Sequence, residues 1–173
     1  MITKHRRGIS LLEVTIATML AGVVSAMAAS VAFDLSRGMS QNIAQAQIAS
    51  EARLAIESLR RDLSGSSHDM PDGDPKHGQL VGKLIPSQTE LRLCFDGDEN
   101  SMADWIAPDR VIQYVLDGST LTRNDFLSGN VYTVARHVDS VQFLTDGITL
   151  SINLDFEFGG VTETYTFQTS DLP

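Results

Sequence analysis

The chain has one cysteine, few bases for its acids, and a long stretch with no charged side chain. Cys94 being alone, no internal disulfide can form, which excludes a disulfide scaffold while leaving an oxidising compartment open. Its thiol is either reactive or simply a small group packed on a strand, and packing is the ordinary role. Bases number 13 against 22 acids, a net charge of −9. Lys4, Arg6 and Arg7 fall in the first eight residues, so the remainder carries 10 bases against 22 acids, or −12. A body of that sign repels phosphates, which excludes nucleic-acid binding by a broad basic surface. A local cluster such as Arg110, Arg123 and Arg136 is the place left for DNA contact or adhesion. Also missing are a Ser/His/Asp arrangement, a Cys/His pairing, a phosphate loop and a carboxylate pair, so no enzyme is expected.

Charge is absent from Val14 to Phe33, and Ile9 to Leu12 extend the apolar run on the other side of Glu13. A helix over residues 9–33 spans about 37 Å, enough to cross a hydrocarbon core of about 30 Å. Small residues, among them Ala17, Ala21, Gly22 and Ala28, suit close packing against other helices in lipid. Lys4, His5, Arg6 and Arg7 precede the run and Asp34 is the first charge after it, so the amino end stays cytoplasmic and the body is exported. A cleaved secretory signal is the competing reading, but the apolar region is too long and an acid sits near its start.

That acid is the anomaly. A lone carboxylate in a span costs about 2.5–3.5 kcal/mol on insertion scales. It needs a cation, and no Lys or Arg lies between Gly8 and Arg37. A cut after Gly8 would create one, an ammonium on Ile9, one helical turn from Glu13. The plainer alternative is an acid that snorkels to the interface of a simple anchor.

The residues RRG-ISLLEV, Arg6 to Val14, resemble the processing site of type IV pilin-like proteins: basic residues, Gly, an apolar residue, then S/T-L-[LIV]-E. The resemblance implies a prepilin peptidase that cuts between Gly8 and Ile9 and methylates the new amine of Ile9. It implies that Glu13 neutralises the terminal amine of a neighbouring subunit during assembly. It further implies other minor and major pilin-like subunits, an inner-membrane assembly platform and membrane lipid as partners. Localisation would be the bacterial inner membrane, single-pass, with the amino terminus cytoplasmic and the carboxyl-terminal domain periplasmic, or carried to a filament tip. Ile9 stands where Phe is commoner in that family, and no proline precedes Pro71, whereas many major pilins carry one in this helix.

The helical pattern continues past the apolar run. Ala44, Ile48, Ala52, Ile56, Leu59 and Leu63 form one stripe, and Arg53–Glu57 and Glu57–Arg61 are i,i+4 pairs of opposite sign. One helix from about Ile9 to Leu63 would be about 80 Å long. Its outer part is expected to pack on its own domain rather than in a coiled-coil dimer. After residue 66 the period changes. A turn-rich loop, His68 to Gly78, leads to the alternating runs Glu90–Phe95, Val111–Leu116 and Ile148–Phe158. Asp117-Gly118 and Gly159-Gly160 mark hairpins, and Val161–Thr169 pairs with the strand before it. The fold class is α+β, a long N-terminal helix packed on a chiefly antiparallel β-sheet, as in pilins. The organisation is a leader at 1–8, a helix at 9–65 with residues 9–33 in the membrane, and an exported β-rich domain at 66–173.

Glu51 to Leu63, then Arg110 to Arg123 and Val138 to Gly147, are similar to W-type minor pilins and J-type minor pseudopilins. The resemblance implies a subunit of a complex that initiates or caps a type IV pilus-like filament. A minor pseudopilin of a type II secretion system, or a membrane-tethered binding domain with no filament role, are the alternatives. For a metal, the segment Asp96 to Asp104 is the candidate. Asp96, Asp98 and Asn100 match the first three ligand positions of a calcium loop, with Asp104 beyond, though Ser101 replaces the expected glycine and Ala107 the bidentate glutamate. A solvated acidic loop is the other reading, and the preferred one. No cofactor is expected. His68 and His77 flank Asp69, Asp72 and Asp74 in a surface loop, His137 stands alone, and Trp105 is expected to anchor a loop by packing.

Overall fold

The computed structural model describes residues 10–65 and 78–170. The elements run α1 (Leu11–Leu63), β1 (Leu80–Ser87), β2 (Glu90–Phe95), β3 (Arg110–Asp117), β4 (Thr120–Asp125), β5 (Val131–Arg136), β6 (Val138–Thr145), β7 (Thr149–Phe158) and β8 (Val161–Ser170). The class is α+β, with a long N-terminal helix packed on antiparallel strands. Two compact units divide the chain, one up to Asn42 and one from Ile43 onward.

In the first unit α1 begins at a cap. The Glu13 N–H donates to Ser10 Oγ at 3.2 Å and to the Ser10 carbonyl at 3.0 Å, and the Val14 N–H reaches that carbonyl at 3.2 Å. Ser10 is thus the N-cap and Glu13 the third helical residue, the S-x-x-E spacing of a capping box. Every large apolar side chain from Leu11 to Met39 is exposed. A helix apolar on all sides and unburied is a candidate membrane span. Its hydroxyls add little polar cost there, because Thr15, Thr18 and Ser30 donate back to the carbonyls of Leu12, Thr15 and Met27 at 2.8–2.9 Å.

In the second unit the last turns of α1 cover the core. The fully buried line is Ala44, Ile48, Ala52, Ala55, Leu59 and Asp62, with Ile56 and Leu63 half-buried on its flank. Those six recur at 4, 4, 3, 4 and 3 residues, the 3.6 period of an α-helix, so the stripe drifts off the fours of the sequence expectation. Burial of Ile48 or Leu59, both at 0% exposure, stabilises the packing by roughly 1.5–3 kcal/mol each.

The strands form two sheets rather than one: β1-β2-β3-β4-β5 and β6-β7-β8, antiparallel throughout. They share the core through Leu91, Leu93, Ile112 and Tyr114 from the first sheet and Val141, Phe143, Leu150, Ile152, Leu154 and Phe156 from the second. The Phe143 N–H donates to the Gln88 carbonyl at 2.8 Å and stitches the sheets together. Phe158 pairs with Val161 across Gly159-Gly160, whose φ of 61° and 76° are those of a type I′ turn. Ile148, expected on the inward face of its strand, precedes β7 and is exposed. The sequence pattern does not announce β1 or β5: β1 shifts register twice, and β5 buries Ala135 fully and Val134 in part.

Candidate functional site

Three arrangements in the fold carry chemistry. The first is Glu13 itself, in the first turn of α1 and exposed, with Ala17, Thr18 and Ala21 on the same shallow face. Small residues there leave the carboxylate open to a neighbouring group. Gly8 and Ile9 lie outside the described residues.

The second is the acidic loop between β2 and β3. Asp96 accepts the N–H of Ser101 at 2.7 Å on one oxygen and those of Asp98 and Asn100 at 3.2 and 3.3 Å on the other. The Asn100 side-chain amide bridges Asp98 and Asp104, donating to each at 3.0 Å. The ligand-capable group brought together is Asp96, Asp98 and Asp109, with one oxygen from each within 4.8 Å of the others. Asp109 is the last loop residue before β3 and was not singled out in the sequence; no spacing within the loop points to it. It accepts N–H bonds from Gly97 and Asp104, both at 2.9 Å, and the Cys94 S–H at 3.3 Å. Burial pushes its carboxyl up, but those donors outweigh it and hold it below the usual aspartate range. Burial and the Asp109 charge push the Cys94 thiol up to about 11, so this buried cysteine on β2 is a neutral packing group and not a nucleophile. Three clustered carboxylates can coordinate a cation, whereas calcium takes 6–8 oxygens. Trp105 anchors the loop as expected: Gly82 on β1 leaves room for it, since a Cβ there would meet Trp105 Cζ2 at 3.2 Å.

The third is a buried ion pair between helix and sheet. Arg123 Nε on β4 donates to Asp62 Oδ2 at 2.6 Å, and the Tyr114 hydroxyl on β3 donates to the same oxygen at 2.6 Å. The Ser58 and Tyr114 hydroxyls lie 3.0 Å apart. Burial and the Asp62 charge push the Tyr114 phenol far above its ordinary range, so it stays a donor. Burial works against the Arg123 charge, but Asp62 outweighs it. A second pair joins Arg110 to Asp125. Burial would raise Asp125, yet Arg110 and the Ser128 contacts hold it low. Arg110 and Arg123 are therefore structural, each spent on a buried acid, and do not form the basic surface cluster with Arg136 that the sequence left open. His137, between β5 and β6, packs its ring on Phe158 with centroids 4.3 Å apart. His68 and His77 lie outside the described residues.

No family model, curated protein or solved structure matches this chain.

Proposed function

We propose that the chain is a minor pilin or pseudopilin, a non-enzymatic subunit that joins a complex initiating or capping a type IV pilus-like filament. The observation that carries the reading is the first turn of α1. An exposed apolar helix, a membrane-span candidate, holds a single acid there, and no base follows it until Arg37. Cleavage between Gly8 and Ile9 by a prepilin peptidase supplies the missing cation in a neighbouring subunit, as the ammonium of Ile9, methylated or not. Loss of one partner from a buried charge pair in a protein costs about 3–5 kcal/mol, and a drive of that kind would seat the amine of each new subunit on a waiting Glu13. The body faces the periplasm and contacts other minor and major subunits, with the assembly platform beneath. A pilus is the machine placed first, a type II secretion system second, and crosslinking in native membranes separates them by the neighbours captured. Calcium, if it enters, would sit on Asp96, Asp98 and Asp109.

The place of Glu13 in the first turn of α1, where a carboxylate meets the positive end of the helix dipole, favours a second reading, a tethered domain whose Glu13 serves only its own helix. Glu13→Gln separates the two, because glutamine keeps the S-x-x-E/Q cap while losing the charge. The filament reading expects both Glu13→Gln and Glu13→Ala to be processed yet incorporated poorly; normal incorporation of Glu13→Gln refutes amine pairing. The direct test of processing is the intact mass of the native membrane protein. A loss of about 1 kDa, with Ile9 first, supports the proposal, and a chain that keeps its leader beside an active peptidase overturns it.

A further inference from the structure

The second unit concentrates its free positive charge beside an open sheet edge. A groove of about 850 Å³ runs between the last turns of α1 and β8, with Arg53, Arg60 and Arg61 on the helix side and Tyr165 on the strand side. All three arginines are exposed. On a chain of net charge −9, three guanidiniums in one groove are a local reversal of sign. Two acids temper it: Glu57 lies 4.0 Å from Arg61, and Glu163 accepts the Tyr165 hydroxyl at 2.7 Å. Glu57 lines the groove between Arg53 and Arg60, so three guanidiniums there meet one helix carboxylate.

Among the described residues β8 is the edge of its sheet, paired with β7 over ten positions. From Val161 to Thr169, alternate backbone N–H and C=O groups point away from β7, the template an added strand uses. Its outward face is dressed with Thr162, Thr164 and Thr166 and is hydroxyl-rich, while Ile56 and Tyr165 give the groove an apolar floor.

We propose that this groove docks an extended acidic segment of a partner polypeptide, added as a strand along β8, with its carboxylates meeting Arg53 and Arg60. The backbone edge selects a polypeptide over other polyanions, and the arginines select its charge. The inference concerns the second unit alone and stands whether or not the chain enters a filament.

The test places a photo-crosslinking amino acid at Ala49, an exposed groove residue, in the full chain in native membranes. Mass spectrometry of the captured peptide is expected to show an acidic segment of a partner polypeptide. Arg53→Glu with Arg60→Glu should lower its yield about tenfold, and lysines at the partner's acids should restore it. In purified full-length protein, the captured segment should slow amide exchange from Val161 to Thr169. Capture of lipid, nucleic acid, a second copy of this chain through a non-acidic segment, or nothing overturns the proposal. So does a yield indifferent to charge reversal, or exchange in β8 that the segment leaves unchanged.

Discussion

Arg123→Met isolates what the buried pair does for the fold. Both side chains of the pair are 9% exposed, so water cannot replace the guanidinium once it is gone. Asp62 would keep the Tyr114 hydroxyl at 2.6 Å but lose its countercharge. Removing one member of a buried pair costs about 3–5 kcal/mol, against 1 kcal/mol or less for an exposed one. For a chain of this length that lowers Tm by roughly 6–20 °C. Replacing both partners by apolar groups, Asp62→Leu with Arg123→Met, removes the orphaned charge and should recover most of the loss, because a well-packed apolar pair is often neutral or better. Tyr114→Phe should fall between, at about 1.5–3 kcal/mol for a hydrogen bond to a charged group. The assay is thermal unfolding of the full chain in detergent, followed by the fluorescence of Trp105, the one tryptophan. A cost below about 1 kcal/mol for Arg123→Met, with no recovery in the double variant, would show that solvent reaches Asp62 and that the argument fails.

Asp125 is held low when folded, so protons bind the unfolded chain first. The stability it contributes is full above about pH 5 and is lost as pH falls below about 4 toward its folded value, and Asp125→Asn should make that acid limb shallower in a Tm-against-pH series. Cys94, with its thiol pushed up to about 11 and its side chain buried, should resist iodoacetamide at pH 8 until the chain is unfolded, read by mass; rapid labelling of the native chain would contradict its packing role. Chelation should leave Tm unchanged, because backbone N–H groups already hold Asp96 and Asp109. A calcium-dependent rise that Asp98→Ala abolishes would instead assign the cluster to that ion.

What was legible in the sequence followed from periodicity. The alternation in Leu150, Ile152, Leu154 and Phe156 marked both strand β7 and its buried face, and Gly159-Gly160 marked the turn after it. The helix was legible for the same reason, but its buried line was read one residue off at Ala55 and at Asp62. A rule that looks for apolar residues cannot choose an aspartate for the core. The 3.6 period does choose it, and an arginine and a tyrosine at Arg123 and Tyr114, both facing inward on adjacent strands, supply the reason. The division into two sheets was illegible because it depends on what does not pair. β5 and β6 are separated by His137 alone, at a φ of 60° that turns the chain out of one sheet and into the other.

The same limit governs the candidate sites. Asp96 and Asp98 were found because they lie two residues apart, and Asp109 was not because only folding brings it near them. The groove beside β8 joins helix arginines to a tyrosine more than a hundred residues later, so no local pattern announces it. Glu13 is the opposite case. Its neighbours in sequence are its neighbours in space, and the sequence exposed the problem it poses in lipid. The structure adds that Ser10 caps the helix through the Glu13 N–H, a bond made by backbone and serine alone. That bond leaves the Glu13 carboxylate uncommitted to it. A cap explains why a Glu or Gln suits the third helical position; it does not explain an acid, which costs more in lipid than the glutamine that would serve as well. The helix dipole returns about 0.3–1 kcal/mol for an acid in the first turn, less than the charge costs in a span, and under the proposed function the amine of another subunit would supply the rest.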